Sequence, residues 1–92
     1  MKTIQIPLKE VKELIKEFEY YHNFMHKMGC GNYVKVENLR GPFNEFEGYC
    51  YKADITLGFP EDNKEEKYFG CLYPVSLIEK MYNKRKESEY GS

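Results

Sequence analysis

A single α+β domain in the order β-α-β-β-β-α, with two helices on one face of a mostly antiparallel sheet, is the fold class this sequence predicts. Three observations carry it: an apolar stripe at helical spacing from Leu8 to Met28, a two-residue alternation from Tyr49 to Phe59, and a capping signature at Ser76. The domain is expected to span residues 1–86, with residues 87–92 a frayed tail that has nothing to bury.

Thr3, Ile4, Gln5 and Ile6 alternate and read as a short first strand. Pro7 suits the opening turn of a helix, where a missing N–H costs nothing. At about 100° per residue, Val11, Leu14, Ile15, Phe18, Tyr21, Met25 and Met28 share a stripe roughly 140° wide, and His22 falls inside it. Gly29 and Gly31, on either side of Cys30, read as the helix stop. Tyr33 to Leu39 looks like a strand, punctuated by Arg40, Gly41 and Pro42.

In the next segment Tyr49, Tyr51, Ala53, Ile55, Leu57 and Phe59 take one face, and Cys50, Lys52, Asp54 and Thr56 take the other. Phe46 is out of phase with that set, and a bulge near Gly48 would restore the register. Residues 59–64 make a polar turn, from which Tyr68 to Tyr73 returns as the second arm of a hairpin. Ser76 and Glu79 form a capping box, and Leu77, Ile78, Met81 and Tyr82 give the following helix its apolar side.

Composition then excludes several classes. Fourteen Lys and Arg against fifteen Asp and Glu leave a formal charge of −1, which argues against a general polyanion binder. No apolar run reaches the roughly 18 residues a membrane span needs, and the first residues lack the apolar region of a signal peptide. Three cysteines, an odd number, then read as reduced thiols in a cytoplasmic protein. Lysine outnumbers arginine twelve to two and alanine occurs once, the bias an AT-rich genome imposes, which points to a low-GC bacterium or its phage.

His22, His26 and Cys30 are four residues apart, but this is three ligands at most, and a structural zinc site wants four. Cys30 follows a helix C-terminus, where the dipole raises a thiol pKa, and Cys50 and Cys71 sit within strands as small packing residues. The acids at Glu61, Asp62, Glu65 and Glu66 are hairpin charges with nothing apolar to enclose them. No metal, cofactor or catalytic residue is therefore expected, and the chain reads as a non-enzyme. After the first strand, the α-β-β-β-α order is similar to that of double-stranded-RNA-binding domains, which use lysines at the start of their second helix. The corresponding stretch, Pro74 to Ile78, has no basic residue, so no residue role is carried over and nucleic acid is disfavoured as a partner.

Nine tyrosines and six phenylalanines exceed what a core this small can use. Tyr20 and Phe24 lie opposite the apolar stripe as an i, i+4 pair, and Glu45 and Glu47 have the spacing of one strand face. These four residues are the expected partner-binding site, because aromatic anchors carry much of the energy of interfaces. The function expected is a small protein that acts by binding another protein. Its specific form is an inhibitor or regulator encoded by a phage or mobile element, blocking a host defence complex such as CRISPR-Cas. The alternative is a small-molecule or nucleotide-binding module, and a homodimer would also consume exposed aromatics.

Overall fold

The computed structural model describes residues 5–24 and 31–90, with side chains over 5–22 and 31–88. The elements are α1 (Leu8–Phe24), β1 (Tyr33–Glu45), β2 (Gly48–Phe59), a 3-10 turn (Pro60–Asp62), β3 (Lys64–Pro74) and α2 (Val75–Tyr90). The strands make one antiparallel sheet in the order β1-β2-β3. The α+β class is as the sequence predicts, with one element fewer among the described residues. Thr3 and Ile4 lie outside them, and Gln5 and Ile6 belong to no strand, although Ile6 is buried in the core.

The core occupies one face of the sheet. Val34 and Val36 of β1, Tyr51, Ala53, Ile55 and Leu57 of β2, and Tyr73 of β3 meet Val11, Leu14 and Ile15 of α1 and Ile78 of α2. Each such aliphatic side chain contributes roughly 1.5–3 kcal/mol by leaving water. The shortest dimension of the molecule is 19 Å, which is about one sheet and one helix layer at roughly 10 Å each. Among the described residues, no second layer covers the other face of the sheet.

Helix α1 starts where Pro7 predicts: its carbonyl accepts the N–H groups of Glu10 at 2.9 Å and Val11 at 3.1 Å. The stripe holds through Phe18 and then departs from the predicted face. Tyr21 is 70% exposed, and His22 is exposed with its ring stacked on Phe18 at 5.6 Å. Glu19 and Tyr20 are half-buried instead. The Tyr73 hydroxyl donates to Glu19 Oε1 at 2.5 Å, so the last turns face β3 with the Glu19 side. Residues 25–30, including His26 and Cys30, lie outside the described residues.

Helix α2 begins at Val75, one residue before the predicted cap, and runs to Tyr90. Residues 87–90 are thus helical where a frayed tail was expected. The Arg85 guanidinium pairs with Glu17 and ties α2 to α1. Lys86 stands 5.2 Å above the Tyr82 ring.

Strand β1 departs furthest from expectation. Arg40, Gly41 and Pro42 continue the strand rather than end it: Arg40 pairs with Lys52, and a bulge lies on either side of it. Asn38 and Leu39 together oppose Ala53, and Gly41 and Pro42 together oppose Tyr51. Gly41 has φ 123° and sits so close to β2 that a Cβ there would lie 3.0 Å from the Cys50 carbonyl oxygen. Bulges are also where a strand tolerates a proline, which has no N–H to donate. The Gly41–Pro42 peptide is cis. On the other side of β2, Phe69 and Gly70 together oppose Asp54. The register shifts therefore lie at these three places and not near Gly48, where Glu45 and Gly48 pair directly.

Candidate docking hairpin

The β1–β2 hairpin closes on two residues, Phe46 and Glu47. Two-residue hairpin turns favour Gly, Asn or Asp, because the matching turn types need φ above zero. Phe46 adopts φ 56° and is 99% exposed. A bulky side chain in that region is a genuine outlier and costs on the order of 1–2 kcal/mol. The ring therefore gains nothing from the fold that holds it in this conformation.

The base of this tip is braced. The Lys52 ammonium pairs with Glu45 and stands 5.4 Å above the Phe43 ring. Phe43 opposes Cys50, Asn44 opposes Tyr49 and Glu45 opposes Gly48, so the arms are in register up to the turn. Phe43 and Tyr49 are also exposed, which places three aromatic rings within the last residues of one hairpin. Glu47 is exposed and makes no hydrogen bond or ion pair among the described residues.

Behind the tip, the face opposite the core is arranged in rows across the three strands. Tyr33, Gly58 and Glu65 make one row. The Tyr33 ring lies over Gly58, where a Cβ would meet it at 2.1 Å, and its hydroxyl donates to Glu65 at 2.8 Å. That bond raises the Tyr33 phenol above its ordinary pKa. In the middle of the face Asp54 accepts from Asn38 Nδ2 at 2.8 Å and from the Gly70 N–H at 2.9 Å. Arg40 is 3.9 Å from the same carboxylate. These donors, Asn38 first, hold the Asp54 carboxyl below its ordinary pKa. One side chain of β2 thus fastens a bulge of β1 and the bulge of β3.

The expected site residues separate. Tyr20 packs against the core, because the helix presents its Glu19 side to β3. The side chain of Phe24 lies outside the described residues. Glu45 and Glu47 do not share a strand face: Glu45 ends β1 and is tied to Lys52, while Glu47 is in the turn. Between them stands Phe46, which the sequence places out of phase in the strand, with a bulge near Gly48 expected to restore the register. The available signal was its wrong phase between two glutamates.

The remaining chemistry is quiet. Cys50 is buried, and burial pushes the Cys71 thiol up, away from the thiolate a nucleophile needs. Burial and then the Glu19 carboxylate push the Tyr73 phenol well above the ordinary tyrosine value, so it remains a hydrogen-bond donor. No helix among the described residues is long and apolar enough to cross a membrane. Comparison of the chain with protein-family models, with curated proteins and with solved structures finds no match.

Proposed function

We propose that this protein acts by binding another protein, with the β1–β2 hairpin tip as its anchor. The observation that carries this reading is Phe46, a fully exposed aromatic side chain kept in a left-handed backbone conformation. Strain of this kind persists where the surroundings over-determine it, and it concentrates at binding and active sites. The Phe43–Lys52–Glu45 brace supports the same reading, because an anchor already held in place loses little entropy when it docks. Small size and balanced charge fit a non-enzymatic inhibitor or regulator working in the cytoplasm. The lysine-rich, alanine-poor composition supports its narrower form, a phage or mobile-element product that blocks a host defence complex such as CRISPR-Cas.

The test is an affinity capture from bacterial lysate with wild-type protein and the Phe46→Ser variant side by side. Partner capture is expected to vanish with Phe46→Ser while the thermal midpoint does not fall. Equal capture by both proteins would remove Phe46 from the function.

A further inference from the structure

We infer that the hairpin tip is built for an apolar pocket whose rim is positively charged; this rests on the docking role of Phe46. In a two-residue turn the Cα atoms of Phe46 and Glu47 are about 3.8 Å apart. Any pocket that takes in the Phe46 ring therefore draws the Glu47 carboxylate against its edge. Glu47 has no partner among the described residues to neutralise it there. Glu45, by contrast, arrives already paired with Lys52. The docking element thus delivers one apolar ring and one uncompensated negative charge.

An apolar or acidic rim would strip water from that carboxylate with nothing in return. A Lys or Arg at the rim replaces the lost water with a charge-assisted hydrogen bond. The same charge disfavours an anionic lipid surface, the other environment that takes up an exposed Phe at the end of a hairpin. It also gives the encounter a dependence on salt, because rim charges act mainly on association rate.

The probe is a library of disulfide-closed random peptides, selected on the wild-type chain and counter-selected on the Phe46→Ser variant. Clones that require Phe46 are expected to combine apolar residues with Lys or Arg. Their affinity should fall by about tenfold or more for the Glu47→Lys variant, the size of a lost and reversed charge contact. Glu61→Lys, the same reversal at the exposed β2–β3 turn, should leave them unchanged. Both substituted positions are exposed, and a circular-dichroism melt verifies that each variant is folded. Phe46-dependent clones without basic residues, or indifferent to Glu47→Lys, would overturn the charged rim while leaving Phe46 as an anchor. A selection that returns no Phe46-dependent clone would overturn both.

Discussion

The β2–β3 connection runs through Pro60, Glu61, Asp62 and Asn63, whereas β1–β2 closes on Phe46 and Glu47 alone. Both contain one residue with positive φ: Asn63 at 50° and Phe46 at 56°. Asparagine tolerates that region and proline pre-sets the turn's opening, so the first connection uses residues suited to its backbone. The Asn63 N–H closes it on the Pro60 carbonyl at 3.1 Å. Phenylalanine does neither. Each hairpin is braced near its base, one by Tyr33 reaching Glu65 across Gly58, the other by Lys52 between Phe43 and Glu45. Only one tip spends stability to present an apolar group to water. The difference is between a turn residue suited to its left-handed backbone, Asn63, and one that is not, Phe46.

Both hairpins stand on one scaffold, and its disruption is the largest effect expected. Ile55 lies in mid-β2, fully buried between the two hairpins. Ile55→Ala should cost about 3–4 kcal/mol in urea denaturation, within the range for large-to-small core changes. A loss under about 1 kcal/mol would mean that this layer is not the structural core.

Exchanging the residues at positive φ sharpens the contrast. Asn63→Phe should destabilise by about 1–2 kcal/mol, the cost of a left-handed bulky residue. Phe46→Gly should instead stabilise, by about 0.5–1 kcal/mol, since the relief of that strain exceeds the entropy glycine brings. Gain of stability with loss of partner capture is the signature expected. A destabilised Phe46→Gly protein would show the ring to be part of the fold.

Two smaller effects concern the open face. Asp54 has its carboxyl pKa lowered by Asn38, Gly70 and Arg40. Its ionised form binds better in the folded state, so that increment of stability is present above the unfolded pKa near 3.8 and is lost as pH falls through the lower folded value. Wild type and Asp54→Asn should therefore converge in stability in strong acid and diverge as pH rises to 5. Parallel curves would deny the carboxylate its fastening role. Least of all, Glu65→Gln should return the Tyr33 phenol toward its ordinary value without unfolding the sheet, read by ultraviolet titration in alkali.

The parts of the fold set by periodicity were legible. Val11, Leu14 and Ile15, and Tyr51, Ala53, Ile55 and Leu57 of β2, announce their faces because burial repeats with the helix or the pleat, whereas Tyr49 at the hairpin end is exposed. The polar turn was legible because Pro60 and Asn63 are chosen for its backbone. Strand β1 was not, because Gly41 and Pro42 look like punctuation unless the neighbouring strand is known to accept a bulge there. Tyr20 was misplaced because helical angles say which residues share a face, not how the helix lies across the sheet. At the tip, Glu45 ends β1 and Glu47 lies in the turn, one on either side of Phe46. The residue between them obeys no local preference, which is why pattern reading passed over it.

The Phe69–Gly70 bulge has a consequence for crowding. Strand β3 is an outer strand of the sheet among the described residues, and it carries exposed Phe69 and Leu72, the ingredients of runaway stacking between copies. The bulge splits it into two short segments, Lys64–Tyr68 and Cys71–Pro74, whose pleats are out of step. A neighbouring strand that matches one segment misses the other, so no long ladder can propagate along this border. Because Asp54 holds the Gly70 N–H, one carboxylate on an inner strand keeps this break in the outer strand in place.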